Sequence, residues 1–335
     1  MDGTVRALEH ARRIREVFGT VRSELGQVEE FLGRELAGAL PMVRDVAGWV
    51  LEGGGKRIRP ALLLLISRML GYQGERAVRY GAVVELIHTA TLIHDDIIDE
   101  SELRRGRQTA NRRWGNQPAV LVGDWLYTRT MDLCLELGDV EVMRLLTGAT
   151  LKMIEGEILA DQVRGRIDID EATYMDITRR KTAELFAAAC ALPALFQAST
   201  LHLTAQLATF GRNLGLCFQL IDDVLDYTAS REQLGKPVMA DLREGRVTLP
   251  LILLLPRLDG RRREAIAQVA THGEFGPVSE AELLELVRTS GVLDEVRRRA
   301  ASFAEEAVAQ LDEFRGRPEA GALVRAAELL LQRTS

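Results

Sequence analysis

The sequence has little of what disulfide-stapled or β-rich proteins are built from. Only three cysteines occur in 335 residues. Cys134, Cys190 and Cys217 lie in apolar surroundings without the spacing of a metal site or a disulfide framework, which indicates buried thiols in a reducing cytosol. Alternating β-branched runs do not recur, whereas Ala, Leu, Glu and Arg recur at helical spacing. The sequence therefore predicts an all-α protein.

Basic residues are not in excess either. There are 43 Lys and Arg against 49 Asp and Glu, which gives a net charge of −6. This balance disfavours a nucleic-acid partner and confines any anion site to a local cluster. Residues 1–22 lack the apolar core of a secretory signal, and no Pro- or Ser-rich linker divides the chain. We therefore expect a cytoplasmic protein with a single domain over residues 1–335.

One long uncharged run lies between Glu184 and Arg212, but Pro193 and several polar side chains interrupt it. We interpret it as two buried helices separated near Pro193, without stable insertion into a membrane. The helices that bear most on function are predicted over residues 60–70, 75–99, 118–136, 140–162, 169–193 and 201–226, after a broken helix over residues 4–40. Shorter helices are predicted from residue 249 to residue 332.

An acidic motif ends the predicted helix 75–99. On a helix, Asp95 and Asp99 share one face at i,i+4, and Asp96 lies beside Asp99 at i,i+3. Like charges at these spacings repel each other, and they oppose the helix dipole at a C-terminus. We therefore expect a cation beside them. It is either a basic side chain or Mg²⁺, which prefers hard oxygen ligands.

A second acidic motif repeats this spacing. Asp222, Asp223 and Asp226 follow another apolar helical stretch and again read Asp-Asp-x-x-Asp. A solvated helix end would explain either motif alone. Two such helix ends that face each other across a bundle would instead hold a metal cluster, and the repetition favours this interpretation.

Basic residues accompany both acidic motifs. A glycine-rich segment from Gly53 to Pro60 contains Lys56 and Arg59, which could bind phosphate, although an ordinary connector explains this segment alone. Arg104 and Arg105 follow the first motif, where they either bind an anion or neutralise the neighbouring acids. Further cationic segments that are individually unspecific are Lys181-Thr182, Gly235-Lys236-Pro237 and residues 241–246. Together these positions indicate a metal-assisted diphosphate site.

The chain resembles the trans-isoprenyl diphosphate synthases of the polyprenyl synthetase family in segments that span most of its length. These segments are GGGKRIRP, ELIHTATLIHDDIIDESELRRG, LVGDWLYTR, RRKTAELF, FQLIDDVLDY and LGKPVMADLREGRVTLP. The resemblance implies one large helical bundle around a deep central cavity, and dependence on more than one Mg²⁺ ion. It implies condensation of isopentenyl diphosphate with an allylic diphosphate by a homodimer. Release of a greasy product could bring the protein into transient contact with a membrane.

The resemblance also implies roles for individual residues. The metal ligands would be Asp95, Asp99 and Asp222, with Asp96, Asp223 and Asp226 supporting them directly or through water. The contacts to isopentenyl diphosphate would be Lys56, Arg59, His88 and Arg105. The contacts to the allylic diphosphate would be Arg104, Lys181, Thr182, Gln219 and Lys236. Of these, the residues expected to carry catalysis are Asp95, Asp96, Asp99, Arg104, Lys181, Asp222 and Lys236.

Product length is suggested by the residues one turn before Asp95. They are Ala90 and Thr91, both small, where short-chain members of the family tend to place an aromatic residue. The chain thus resembles the long-chain synthases of quinone side chains, from heptaprenyl to decaprenyl with octaprenyl favoured, and Met131 is the candidate for a deeper limit. Met239 departs from the family, which usually has glycine two positions after the Gly-Lys-Pro segment. The backbone conformation there remains open.

Several alternatives remain at this point. A shorter-chain synthase of the farnesyl or geranylgeranyl type would share both motifs. A class I terpene cyclase normally mixes Asn, Ser or Thr, and Glu in its second motif and lacks a second diphosphate site. A phosphohydrolase of the HD type, built on His88, His94 and Asp95, would leave the second motif unexplained. A helical scaffold or an inactive partner subunit would need neither motif.

Overall fold

The computed structural model describes residues 13, 16–229, 238–276 and 278–334. Nearly all regular structure within them is helical, which confirms the all-α prediction. Part of the helix predicted over residues 4–40 lies outside the described residues. The α-helices, numbered α1 to α16 in chain order, are Arg22–Ala37, Pro41–Glu52, Ile58–Met69, Glu75–Ile98, Ala110–Trp114, Asn116–Glu136, Val140–Gln162, Glu171–Thr178, Glu184–Ala191, Thr204–Thr228, Ala240–Arg243, Leu249–Leu254, Gly260–His272, Glu280–Thr289, Val292–Ala309 and Pro318–Leu331.

The two helices that carry the acidic motifs, α4 and α10, lie in the core. Helix α4 packs against α1, α3 and α6, and α10 packs against α9 and α15. Apolar side chains of both helices, such as Leu86, Ile93, Leu214 and Leu220, are fully buried. Burial of each such side chain contributes about 1.5–3 kcal/mol. In the described ranges, no helix combines the length and the apolarity needed to cross a bilayer.

A small hairpin that the sequence did not predict follows α4. Its strands, β1 (Leu103–Arg104) and β2 (Arg107–Gln108), are antiparallel. Arg105 and Gly106 form the turn with φ of 53° and 75°, as a tight hairpin turn with two left-handed residues requires. The hairpin returns Arg104 toward the first motif, where its Nε donates to Asp96 Oδ1 at 2.7 Å.

The predicted helix 169–193 is divided into several pieces. Helices α8 and α9 flank a π-helical turn, Arg179–Ala183, which ends where the Glu184 N–H donates to the carbonyl of Arg179. A 3₁₀ helix then covers Leu192–Phe196. Two glycines of neighbouring helices allow close packing against the π turn. A β-carbon at Gly156 would lie 2.7 Å from the backbone nitrogen of Lys181, and one at Gly215 would lie 2.7 Å from Cα of Ala183.

Candidate active site

The C-terminal ends of α4 and α10 open onto a cavity of about 440 Å³. Asp95 and Asp99 line it from the first motif, and Asp222 and Asp223 line it from the second. The structure thus brings both acidic motifs to one cavity. The charged side chains from other segments that also line it are Arg104, Arg105, Lys181, Asp241, Glu244 and Arg246, and its polar side chains include Thr182 and Gln219.

The acids of the first motif have three different environments. Burial raises the pKa of Asp95 to about 6, with Lys181 opposing the shift. Asp99 is also buried, but Arg246, Lys181 and Arg164 together hold its pKa below the usual value. Arg246 Nη1 lies 2.8 Å from Asp99 Oδ2, and Arg164 Nη2 donates to Asp99 Oδ1 at 3.0 Å.

Asp96 differs from both of its neighbours. It is 1% exposed, its carboxylate is held by Arg104, and burial raises its pKa against the effect of that arginine. It does not line the 440 Å³ cavity but lies on a separate small cleft beside the hairpin. The structure therefore favours a role for Asp96 in orienting Arg104.

In the second motif, Asp222 and Asp223 are held differently. Arg333 Nη2 donates to Asp222 Oδ1 at 3.3 Å. Asp223 accepts a short hydrogen bond from Tyr174 OH and a second from Gln219 Nε2 at 2.9 Å. Burial raises the pKa of Asp223 well above its usual range, and both of its oxygens are already occupied by these hydrogen bonds. Of the two, Asp222 is the better candidate for a metal ligand.

The structure gives no support for Asp226 as a metal ligand. One of its oxygens accepts the Ala240 N–H and the other accepts the Asp241 N–H, both at 3.2 Å. Asp226 is 1% exposed and does not line the cavity. Because both carboxylate oxygens bind the backbone at the start of α11, the structure favours a role for Asp226 in anchoring that segment, and its support of a metal stays a prediction.

The π turn presents Lys181 and Thr182 to the cavity. Lys181 Nζ lies 2.5 Å from Glu157 Oε2, and Thr182 Oγ1 donates to Gln219 Oε1 at 3.0 Å. π turns inside helices occur often at functional sites. Lys236, predicted beside these residues, lies outside the described residues together with Gly235 and Pro237.

The structure gives the backbone conformation at Met239, which the sequence left open. Its backbone is left-handed, with φ of 56°, and its N–H donates to the carbonyl of Asp226 at 3.0 Å. Glycine adopts this conformation at little cost, which agrees with the glycine that the resemblance implies at this position. Here the methionine side chain is fully buried.

A second group of cations adjoins the first motif. Desolvation of the ammonium group, followed by the charge of Arg333, lowers the pKa of Lys56 to about 8, although the residue as a whole is exposed. The guanidinium carbon of Arg59 lies 4.4 Å from the centroid of the Phe186 ring, and its buried Nε has no hydrogen-bond partner. An unpaired buried donor beside other cations is suited to an anion.

His88 lies within the same group. Burial lowers the pKa of His88 well below its usual value, and Arg59, Arg105 and Arg104 add to this effect. The imidazole is therefore neutral at physiological pH. Of the four residues predicted to bind isopentenyl diphosphate, Arg105 lines the 440 Å³ cavity, whereas Lys56, Arg59 and His88 do not.

Comparison with known proteins identifies this arrangement. Residues 41–285 match the family model of polyprenyl synthetase. The chain belongs to the polyprenyl synthetase family. It is 37% identical over 320 residues to the octaprenyl diphosphate synthase of Escherichia coli K12, an alignment that covers 92% of this chain and 99% of that protein. The predicted family is thus confirmed, and with it the prediction of an enzyme that transfers prenyl groups.

Two solved structures of polyprenyl synthetases share the whole fold. The decaprenyl diphosphate synthase from Rhodobacter capsulatus superposes with a TM-score of 0.89 at 32% identity, over 97% of this chain and 99% of that one. The polyprenyl synthase from Caulobacter crescentus superposes with a TM-score of 0.88 at 33% identity, over 97% and 98%. The latter was solved in complex with calcium and isoprenyl diphosphate.

Of the residues predicted to limit the product of this polyprenyl synthetase, Ala90 and Thr91 precede Asp95 on α4 and Met131 lies on α6. Thr91 is one turn before Asp95 on the same helix face, and Ile87 is one turn further. Ile87 and Met131 line one narrow cleft between α4, α6 and α7. Ala90 is 3% exposed and is turned about 140° from the face of Asp95. Thr91 is therefore the better candidate of the predicted pair.

The donor chemistry of the site fits magnesium. Asp95, Asp99 and Asp222 offer carboxylate oxygens on the wall of an open cavity. Among the described residues, no three acids, histidines or cysteines are grouped closely enough to hold an ion as they stand. Asp99 and Asp222 are paired with arginines instead. A metal bound to these carboxylates would compete with those guanidinium groups.

The side chains that pair with the acids of the two motifs were not predicted from the sequence. Arg246 lies in the mixed-charge segment 241–246. The sequence indicated that this segment belongs to the site, but it did not indicate the contact of Arg246 with Asp99. Arg164 follows α7, and Arg333 lies near the C-terminus; neither position carried a recognisable pattern. No pattern around Tyr174 of α8 indicates its bond to Asp223.

Proposed function

We propose that the chain is a long-chain trans-polyprenyl diphosphate synthase that adds isopentenyl diphosphate to an allylic diphosphate, with octaprenyl diphosphate as the favoured product. The observation that carries this proposal is the convergence of two Asp-Asp-x-x-Asp motifs and several cationic side chains on one cavity. The similarity to an octaprenyl diphosphate synthase over nearly the whole chain supports the product class.

In this proposal Asp95, Asp99 and Asp222 hold Mg²⁺, with more than one ion bound. The bound ions would supply stabilisation of the negative charge that builds up on the departing diphosphate. The complex of a related synthase with calcium and isoprenyl diphosphate supports a divalent cation at such a site.

The protein's own cations complete the reaction. Arg104, Lys181 and Lys236 bind the allylic diphosphate, with Thr182 and Gln219 orienting it. The allylic C–O bond breaks, and its electron pair leaves with the diphosphate. The alkene of isopentenyl diphosphate, held by Lys56, Arg59, His88 and Arg105, then forms the new C–C bond. A proton leaves the adjacent carbon, and we assign it to the released diphosphate because no side-chain base was evident in the sequence.

We further propose a homodimer. Exposed apolar side chains form a stripe on α7, where Leu151, Ile154 and Ile158 are 57%, 51% and 54% exposed, and Leu121 of the neighbouring α6 is 60% exposed. A second copy would cover this surface. Sedimentation velocity on the wild type and on Ile154→Glu tests this: a monomeric wild type would contradict it. Transient contact with a membrane during product release remains part of the proposal.

A product assay tests the function directly. Purified protein is incubated with Mg²⁺, radiolabelled isopentenyl diphosphate and farnesyl diphosphate, and the dephosphorylated products are separated by chain length. We expect a ladder that ends at one long prenol and disappears with EDTA. Asp95→Ala and Asp222→Ala should abolish it while far-UV circular dichroism stays helical. Wild-type rates in either variant would contradict the metal assignment.

A further inference from the structure

Arg57 lies between two residues proposed to bind isopentenyl diphosphate, but its side chain is committed elsewhere. Its Nε donates to Glu29 Oε1 at 2.6 Å, and its Nη1 donates to Glu85 Oε1 at 2.7 Å. Its Nη2 donates to the carbonyl of Leu51 at 3.1 Å. One guanidinium group thus ties the glycine-rich loop to three separate helices, α1, α2 and α4.

The backbone of Arg57 is strained. Its φ is 45°, in the left-handed region, which costs a residue with a side chain on the order of 1–2 kcal/mol. Glycine would avoid this cost, and three glycines precede Arg57 in the loop. The fixed fork of a guanidinium group, which a lysine cannot reproduce, offsets the strain by holding three acceptors at once. The loop therefore depends on this arginine for its conformation.

Glu85 is the unusual member of this group. It is 4% exposed and belongs to α4, one turn before His88. Its negative charge also acts on Arg59 and Arg105, both proposed ligands of a diphosphate. A buried acid beside an anion site weakens the binding of an anion by direct electrostatics. The presence of Glu85 is explained if it holds the neighbouring cationic side chains in position.

We propose that Glu85 and Arg57 are positioning residues for isopentenyl diphosphate: their ion pair fixes the loop so that Lys56 and Arg59 converge on one diphosphate. Neither residue touches the substrate. The buried pair exerts its effect through loop geometry, since Arg57 precedes α3 directly and Lys56 and Arg59 flank it. This inference rests on the proposed function.

The test separates a positioning role from a direct electrostatic effect, because the two predict opposite changes in KM for isopentenyl diphosphate. In Glu85→Gln the site loses a negative charge, so electrostatics alone would lower KM for isopentenyl diphosphate. If Glu85 positions the loop, KM for isopentenyl diphosphate rises on the order of tenfold, the loss expected for a charged hydrogen bond. KM for the allylic substrate stays within about twofold by the same reasoning. An unchanged or lower KM for isopentenyl diphosphate overturns the inference.

Arg57→Gly and the double variant provide independent readings. Glycine accepts the left-handed backbone, so Arg57→Gly should remain folded and still raise this KM. If the two residues act as a pair, Arg57→Gly/Glu85→Gln raises KM no further than the larger single effect. Additive effects would overturn the pairing.

Arg129→Gln is the matched control. Arg129 also binds three carboxylates, those of Glu35, Asp132 and Glu136, but does not line the cavity. It should lower Tm without changing either KM. A wild-type protein that elongates no prenyl chain would refute the proposed function itself. That result is distinct from an unchanged KM for isopentenyl diphosphate in the variants, which would refute only the positioning role.

Discussion

The pKa of Lys56 leads to a prediction about pH that is specific for one substrate. Burial and the nearby Arg333 lower this pKa to about 8. A bound diphosphate requires the charged ammonium. In the free enzyme about nine-tenths of Lys56 is charged at pH 7 and about one-tenth at pH 9, as follows from the pKa. We therefore expect kcat/KM for isopentenyl diphosphate to fall by up to about tenfold per pH unit above pH 8.

The stability of the fold should change in the opposite direction. A lysine of the unfolded chain keeps its proton up to about pH 10.5, whereas folded Lys56 loses it near pH 8. Between these values the unfolded state binds more protons, so the contribution of Lys56 to stability rises with pH. Loss of activity above pH 8 would thus not reflect unfolding caused by this residue. Thermal melts over the same pH range check this.

The assay measures initial rates from pH 6.5 to 9.5 with the allylic substrate saturating. Lys56→Arg is the control, because a guanidinium group stays charged throughout this range and should remove the inflection near pH 8. A flat wild-type profile would refute the reasoning. So would an inflection that persists in Lys56→Arg.

Three further substitutions test the cavity and the loop around Met239. Thr91→Phe should shorten the main prenol product, because Thr91 continues the face of Asp95. Ala90→Phe should instead mainly lower the free energy of unfolding, by about 1–3 kcal/mol, through overpacking. A shorter product from Ala90→Phe alone would reverse this assignment. Met239→Gly removes about 1–2 kcal/mol of backbone strain but loses a buried side chain that contributes about 2–5 kcal/mol. Urea unfolding should therefore show a less stable protein, and a stabilised variant would contradict this balance.

Several parts of this structure were predictable because they depend on local pattern. Apolar residues at helical spacing before Asp95 and before Asp222 were enough to predict two buried helices with acidic ends. The position of Pro193 predicted a break in the uncharged run, and 3₁₀ turns occur there. These features depend on periodicity and on backbone restraints that a single sequence displays.

Other features depend on which side chains meet after the chain has folded. Asp226 continues the spacing of its motif, yet its carboxylate binds the backbone of a segment 14 residues later in the chain. Arg164 binds Asp99 across 65 residues. The β1–β2 hairpin has two residues in each strand, too few to display an alternating pattern. No pattern in the neighbouring sequence indicates any of these features.

The π turn at Arg179–Ala183 makes the length of its helix as important as its composition. Such a turn holds one residue more than an α-helical path would contain. Deleting one of its five residues would restore regular hydrogen bonding and, because each residue of an α-helix turns by about 100°, would change the direction of the side chains inside the turn. Lys181 and Thr182, which the turn presents to the cavity, would then point elsewhere, whereas Tyr174 on α8 and Glu184 on α9 could keep their bonds to Asp223 and Arg212. Insertions and deletions should thus be tolerated in the surface connections but not here, where a change of one residue would remove two side chains from the cavity.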